Sequence, residues 1–457
     1  MRRAVWLLAA SACASSPTPP VARVEAPVVQ PIAAPERASM LSGTPARVQV
    51  DTGPDTALEP CTTAKGERDG IAVTTLECPT FNGASAFASA AEGTWAAIFS
   101  QTSSLLVTFP RGGAPRVERL PLWTPLSLSP RPDGFDVATS HAWSSRGRGA
   151  WTTIAELPTS VTAVAWVWDA SGPRIWGRIE GRGLETFRWA NGAWTTTTFW
   201  PSPSRKGPAP SDFTATRLGD AVFFAYRPKY DGTDGLFVQR EGGAAVRALS
   251  SAAPPSHPSL ALLSKETWPL VAVQSRYDLI VAAPVPTATG VAYAAAIAPG
   301  TEPRAIVRPP PARSDREPTM RDGVARCSEA LDTVSSDQFF SPVIVTRAGR
   351  ALLVFVRRHV ARRHRWTLIP TRERSFCDWL EERATDTTEV VVADLTVGAA
   401  PAARALLAVP IRARVFESQE PRLGAAFIGD TLDVMVATGP MLEHLTIEAR
   451  RVSTESR

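Results

Sequence analysis

The sequence is poor in the residues that carry common chemistry. Its histidines are few, and no two have the spacing that would present them as metal ligands from one face of a helix. No Cys-x-x-Cys pair is present either. We therefore predict no metal site and no cofactor. The only lysines and histidines are Lys65, Lys206, Lys229, Lys265, His141, His257, His359, His364 and His444.

Motifs of common catalysis are also missing. We find no G-x-S-x-G elbow, no H-E-x-x-H helix, no phosphate-binding Walker loop and no dinucleotide-binding glycine motif. No catalytic residue can be named, and a non-catalytic role is the simpler interpretation. The net charge of +5 is small for 457 residues and is carried almost entirely by arginine, as GC-rich coding would produce. It predicts no nucleic-acid partner.

The N-terminus has the pattern of an export signal. Arg2 and Arg3 precede a short apolar stretch at 4–10, and Ser11-Ala12 precede Cys13. No run reaches the roughly 18 apolar residues of a membrane-spanning helix, so none is predicted.

The residues before Cys13 resemble the bacterial lipobox, in which signal peptidase II cuts before a cysteine that becomes acylated. The resemblance implies a signal peptide at 1–12 and a lipid anchor on Cys13. Because Ala14 follows that cysteine, the enterobacterial sorting rule implies an outer-membrane lipoprotein facing the periplasm or the cell surface. Ordinary cleavage after Ala12 or Ala14, without lipid, is the alternative.

The number of cysteines supports the lipid anchor independently. The chain has five cysteines, an odd number. Removing Cys13 leaves Cys61, Cys78, Cys327 and Cys377, an even set that an oxidising periplasm would allow to pair. A two-residue turn at Asp69-Gly70 would place Cys61 opposite Cys78 at a close, non-hydrogen-bonded position. We predict disulfides Cys61–Cys78 and Cys327–Cys377.

The remainder divides into a tether and one β-rich domain. Residues 13–58 are rich in proline and alanine and are predicted to be an extended tether. From 59 to 457, short apolar strands alternate with turn residues in about seven units of roughly 30 to 50 residues. The units are near 85–122, 124–158, 161–201, 211–250, 258–308, 339–410 and 423–453.

This pattern predicts an all-β fold, a β-propeller of about seven blades; two β-sandwiches or a β-helix are the alternatives. A strand over 71–76 is expected to pair with the last unit, 425–450, and so close the ring. In these features the chain resembles Gram-negative, high-GC lipoproteins of unknown function with degenerate propeller-like repeats. Short helical insertions are predicted near 321–336 and 371–387, the latter from a capping box at Ser375-Phe376-Cys377-Asp378.

Tryptophan clustering is the most suggestive functional feature. Eight of the fourteen tryptophans lie between 143 and 200. An Asn191-Gly192 turn would pair Trp189 with Trp194 and stack two indoles on one face of a hairpin. If exposed, these rings form a ligand platform; if buried, they belong to the core.

A basic tract, 357–365, is predicted to be a solvated hairpin tip, with polyanion binding as the functional alternative.

The sequence thus predicts an envelope lipoprotein that acts as a non-catalytic binding or scaffold module, expected to be a monomer. Its partners would be the membrane, through the lipid, and a glycan or an envelope protein. The alternatives are a glycan-active hydrolase or lyase on the same fold and an envelope assembly factor.

The anchor can be tested by fractionation. Cys13→Ser removes the acylation site, so the protein should move from the membrane fraction to the soluble periplasmic fraction. Recovery of the wild-type protein in the soluble fraction with an unmodified mature N-terminus would contradict the prediction.

Overall fold

A computed structural model describes the chain in segments between residues 46 and 452. The predicted signal peptide, Cys13 and most of the predicted tether lie outside them. The segments are 46–48, 50–51, 61–79, 84–89, 93–100, 104–120, 125–131, 134–139, 142–146, 151–157, 161–169, 172–179, 183–201, 211–227, 235–250, 255–263, 266–298, 318–321, 324–327, 331–372, 375–398, 400–412 and 420–452.

The first three blades follow one another along the chain, and their strands are antiparallel hairpin partners. Blade one contains β5 (Ala84–Ser89), β6 (Trp95–Ser100), β7 (Ser104–Phe109) and β8 (Arg116–Arg119). Blade two contains β9 (Pro125–Arg131), β10 (Gly134–Thr139), β11 (Ala142–Arg146) and β12 (Trp151–Glu156). Blade three contains β13 (Val161–Asp169), β14 (Gly172–Ile179), β15 (Gly183–Ala190) and β16 (Ala193–Pro201).

Blades four to six repeat the four-stranded plan, and a two-stranded ribbon precedes blade six. Blade four contains β17 (Ser211–Leu218), β18 (Ala221–Arg227), β19 (Leu236–Arg240) and β20 (Ala245–Leu249). Blade five contains β21 (Pro255–Ala261), β22 (Leu270–Ser275), β23 (Asp278–Thr287) and β24 (Gly290–Ala298). The ribbon is β25 (Thr319–Arg321) with β26 (Val324–Arg326). Blade six contains β27 (Leu331–Arg347), β28 (Arg350–Pro370), β29 (Ser375–Thr396) and β30 (Ala402–Ile411).

Blade seven is built from both ends of the domain. The C-terminal strands β31 (Arg422–Ile428), β32 (Thr431–Thr438) and β33 (Met441–Glu448) continue into β4 (Ile71–Glu77) and β3 (Cys61–Arg68). Leu442 lies opposite Leu76 in the antiparallel pairing of β33 with β4. The predicted pairing of 71–76 with the last unit is confirmed.

Two short strands from the predicted tether extend the sheets of blades seven and one. β1 (Ala46–Val48) pairs with β3, and β2 (Val50–Asp51) pairs in parallel with β8. The edges of blades seven and one therefore gain a covering strand, which removes exposed hydrogen-bonding groups there.

The first strand of every blade contacts the first strands of its two neighbours, from β5 around to β31 and back to β5. The seven sheets so form a closed ring, a seven-bladed β-propeller, and the predicted fold class is confirmed. Within the described segments, the only helical element is a 3-10 turn, Ala449–Val452. None of the described helices is long and apolar enough to cross a bilayer.

One hydrophobic cluster fills each interface between adjacent blades. The largest joins blades six and seven and includes Val354, Val392 and Leu432. The smallest of the seven joins blades two and three, where the buried members are Leu157, Ile175, Ile179 and Phe187. Successive residues of a strand point to opposite faces, and inner strands such as β22 and β32 are buried along nearly their whole length. Each of these strands therefore contributes to the clusters on both sides of its blade.

Both cysteine pairs that the sequence predicted are at disulfide distance. Asp69 and Gly70 have φ values of 52° and 72°, as a type I′ turn requires, and Thr62 lies opposite Glu77. One residue further from the turn, the Cα atoms of Cys61 and Cys78 are 4.4 Å apart. The Cα atoms of Cys327 and Cys377 are 5.7 Å apart.

The prediction of helical insertions near 321–336 and 371–387 is wrong. Ser375 begins the long strand β29, and the described part of the first insertion is extended in β26 and β27. Cys377 and Trp379 are both buried because alternate residues of a strand share a face, whereas residues two apart in a helix point in different directions. β29 pairs with β28 along nearly its whole length. The backbone groups of β29 therefore find their hydrogen-bond partners in a neighbouring strand and not within a helix.

A buried ion pair joins the closing strands to blade six. The Arg68 and Glu443 side chains are 4% and 0% exposed, and Arg68 Nη2 lies 2.5 Å from Glu443 Oε1. Thr75 Oγ1 also donates to Oε1 at 3.2 Å, and the Arg412 amide donates to Oε2 at 3.0 Å. Arg68 Nη1 donates to the Pro410 carbonyl at 3.0 Å. These contacts, which we term the clasp, satisfy both charged groups, as a stable buried pair requires.

Removing one partner of the clasp should destabilise the ring. Glu443→Gln leaves the Arg68 guanidinium buried without its counter-charge, which typically costs about 3 to 5 kcal/mol. Urea unfolding followed by tryptophan fluorescence measures the change.

Glu448→Gln is the matched control, because its pair with Arg450 is 55% and 83% exposed. The control should change stability by less than about 0.5 kcal/mol. Equal effects of the two substitutions would contradict the role of the clasp.

Candidate functional site

The hairpin that joins β15 to β16, here the tryptophan hairpin, has the predicted turn and register. Asn191 and Gly192 have φ values of 54° and 78°, and Trp189 lies opposite Trp194. The two indoles share one face, with ring centroids 5.1 Å apart. Their planes meet at 65°, so the predicted stacking is corrected to an edge-to-face contact. Edge-to-face geometry places the positive ring edge against the negative ring face.

Tryptophans from blade two and from the first strand of blade three extend this pair into a cluster. The ring centroid of Trp143, on β11, lies 6.3 Å from that of Trp189. It lies 6.2 and 5.6 Å from the ring centroids of Trp166 and Trp168, on β13. Trp194 Nε1 donates a hydrogen bond of 2.9 Å to the Glu156 carbonyl at the end of blade two. The tryptophan cluster, Trp143, Trp166, Trp168, Trp189 and Trp194, therefore bridges two blades.

Burial differs within the cluster. Trp143 is only 5% exposed, whereas Trp189 and Trp194 are half-buried. Because the buried hydrophobic cluster between blades two and three is small, indoles complete the packing there, and Trp166 and Trp194 lie against the cluster. The core interpretation thus describes Trp143, while the hairpin pair keeps part of its surface in solvent.

Two other tryptophans between residues 143 and 200, Trp151 and Trp176, lie in other interfaces between blades. Trp176 is fully buried and packs against Phe199, Phe213 and Phe224 between blades three and four. Trp151 is half-buried at the interface of blades one and two. The side chain of Trp200 lies outside the described residues.

Threonine hydroxyls flank the tryptophan hairpin on the outer strand of blade three. Thr195, Thr196, Thr197 and Thr198 are all exposed. Alternation along β16 puts Thr196 on the same face as Trp194. An aromatic surface and a row of hydroxyls therefore lie next to each other at the outer edge of the blade.

The basic tract 357–365 lies in the middle of β28, so the prediction of a hairpin tip is wrong. It is held between two strands, and acidic side chains neutralise its first part. Arg357 pairs with Glu389 at 2.6 Å, and both are 15% exposed. Arg358 pairs with Asp386 at 2.6 Å, and His359 Nδ1 lies 2.8 Å from Asp337 Oδ1. These contacts weaken the case for polyanion binding at this end of the tract.

Strands β27, β28 and β29 continue past β30, whose pairing with β29 begins at Thr388. This three-stranded extension, 331–339 with 357–370 and 375–387, is termed the arm. A small cluster of Trp366, Cys377 and Trp379 packs together on one of its faces. The Cys327–Cys377 pair joins the arm to the ribbon segment that precedes blade six.

A cavity of about 570 Å³ lies against the first strands of five blades, which we term the axial cavity. Its described lining contains one charged side chain, that of Arg422, and no carboxylate or imidazole. The cavity is lined by residues of β5, β6, β17, β21, β27 and β31: Phe87, Ala88, Ser89, Trp95, Phe213, Thr214, Thr216, Pro258, Ser259, Leu260, Ser341, Pro342, Val343, Arg422, Leu423, Gly424 and Ala425. Sequence reasoning missed this site, since no local motif distinguishes these residues.

No group of three potential metal ligands occurs among the described side chains. No family model matches the sequence, and no curated protein matches it.

Several solved structures have a similar arrangement. BBS1N in complex with ARL6DN matches with a TM-score of 0.42 and 13% identity, over 81% of this chain and 95% of that one. BamB from Moraxella catarrhalis matches with a TM-score of 0.36 and 12% identity, over 89% and 99%. The WD40 domain of SCAP from fission yeast matches with a TM-score of 0.35 and 6% identity, over 81% and 97%. Likeness at this level concerns the fold alone.

Proposed function

We propose that this protein is a non-catalytic binding module of the cell envelope, held at the outer membrane by a lipid on Cys13, and that the tryptophan hairpin contacts a glycan. The observation that carries the proposal is the pair of half-buried indoles, Trp189 and Trp194, held in fixed geometry at a blade edge.

The hairpin is ordered before any ligand arrives. Trp194 is fixed by its hydrogen bond to the Glu156 carbonyl, and Trp189 by its edge contact with Trp143. Pre-ordered aromatic side chains lose little conformational entropy on binding, so more of the contact energy appears as affinity.

A glycan suits the chemistry beside the indoles. Indole faces pack against the C–H surface of a sugar ring, and the exposed hydroxyls of Thr196 and Thr198 can donate to or accept from sugar hydroxyls. A purely apolar partner would leave these hydroxyls without hydrogen bonds in the interface, which is unfavourable.

An envelope assembly factor is the second candidate. The observation in its favour is the arm, a three-stranded projection joined by the Cys327–Cys377 pair to the segment before blade six. A projection held in this way could contact another envelope protein without disturbing the ring. An enzyme on the same fold is the third hypothesis, and turnover of an envelope glycan would establish it.

Truncating the hairpin indoles should reduce glycan capture and preserve the fold. For Trp189→Ala and Trp194→Ala, each lost contact should weaken binding of soluble peptidoglycan or lipopolysaccharide oligosaccharides by about 1 to 3 kcal/mol. Calorimetry with these oligosaccharides measures binding, and thermal melting measures the fold.

Trp268→Ala is the matched control, because Trp268 is also half-buried but packs against Phe223 in a distant interface. It should lower the melting temperature and leave binding unchanged. A melting loss for the hairpin variants without any binding defect would show that their role is structural, since core truncations of aromatic residues cost about 3 to 5 kcal/mol.

A further inference from the structure

The axial cavity is a second candidate site. Its described lining contains none of the residues of the tryptophan hairpin, and its role is independent of the function proposed for that hairpin. Its wall is polar and apolar in nearly equal parts, and half-buried Phe87, Phe213 and Val343 belong to the apolar part. Thr214 and Thr216 add hydroxyl groups. A volume of about 570 Å³ falls within the range of pockets that bind small molecules.

The charged group of the wall is Arg422, at the start of β31. Burial lowers the pKa of its guanidinium from the ordinary value, and the nearby Glu420 carboxylate acts in the opposite direction. A guanidinium has five N–H donors in a planar fork, so it can hold a further acceptor beside an existing partner. A carboxylate matches that fork with two parallel hydrogen bonds.

The wall is tied together across three blades. Ser341 has a φ of 47°, a strained conformation for a residue with a side chain. Its hydroxyl donates to the Pro421 carbonyl of blade seven, and its amide donates to Gln274 Oε1 of blade five at 3.0 Å. The Ile344 amide donates to Ser259 Oγ at 3.0 Å. The cavity is therefore preformed on this side.

The next stretch of wall is closed by tight packing of blade seven against blade one. A Cβ atom added at Gly424 would lie 3.0 Å from Phe87 Cβ and 3.0 Å from Trp95 Cζ3. Glycine at this position thus allows β31 to approach β5 closely.

We propose that the axial cavity binds a small amphipathic ligand whose carboxylate pairs with Arg422 and whose apolar part packs among Phe87, Phe213 and Val343. The carboxylate can belong to a free organic acid or to the C-terminus of a short peptide. Both present the same chemistry to the guanidinium.

Paired probes test the proposal by calorimetry on the purified full-length chain. Octanoate and N-acetylphenylalanine represent free acids, and Ala-Ala-Phe represents a peptide C-terminus. Each is compared with its neutral amide of the same shape. We expect at least one acid to bind about tenfold or more tightly than its amide, because a charge-assisted pair is stronger than a neutral hydrogen bond.

Variants locate the effect. Arg422→Gln should abolish the preference for the acid, and Arg422→Lys, which keeps the charge without the fork, should keep part of it. Thr216→Phe should block the cavity and weaken acid and amide alike. Arg217→Gln is the matched control, because Arg217 is exposed on the same strand, β17, and does not line the cavity; it should behave as the wild type.

Each outcome decides the question. If no acid binds better than its amide, or if Arg422→Gln leaves the preference intact, the proposal is wrong. If Thr216→Phe leaves binding unchanged, the acid binds elsewhere and the proposal is also wrong. Preference for octanoate and N-acetylphenylalanine identifies an organic acid as the ligand, and preference for the peptide alone identifies a C-terminus. Thermal melting confirms that every variant used is folded.

Discussion

The antiparallel pairing of β33 with β4 is the contact on which the rest of the structure depends, because it joins the two ends of the domain in one sheet. The clasp of Arg68 and Glu443 lies within that sheet and reaches the end of blade six through Pro410 and Arg412. The Cys61–Cys78 pair packs in the cluster between blades seven and one. Strand pairing, a buried charge pair and a cysteine pair therefore all lie where the ring closes.

Closure places every blade between two neighbours, so each blade buries both of its faces. The interfaces are not filled in the same way. Blades six and seven meet through a large aliphatic cluster, whereas blades two and three meet through a small one completed by indoles. Substituting rigid aromatic rings for aliphatic side chains leaves part of Trp189 and Trp194 at the outer edge of the interface. The same residues thus complete the packing between the blades and leave indole surface exposed to solvent.

The three candidate interaction surfaces differ in their relation to the ring. The tryptophan hairpin belongs to one interface between blades, and the arm extends a single blade. The axial cavity requires first strands from five blades, so it exists only when the ring is closed. Loss of closure should therefore affect the cavity before it affects the hairpin, whose turn is local.

The sequence by itself determines the tight turns of two hairpins, their strand registers and the number of blades, because each depends on local chemistry. Asp69-Gly70 and Asn191-Gly192 specify their hairpins and registers because only residues that tolerate positive φ form such turns, and strand periodicity marked out the seven blades. Tertiary structure decided what short patterns leave ambiguous. The extended state of Ser375–Thr396 depends on a partner strand, and the edge-to-face angle of Trp189 and Trp194 was set by ring contacts that register alone does not specify. The position of Arg422 at the axial cavity depends on residues more than three hundred positions away, such as Phe87, which are brought together only by closure of the ring.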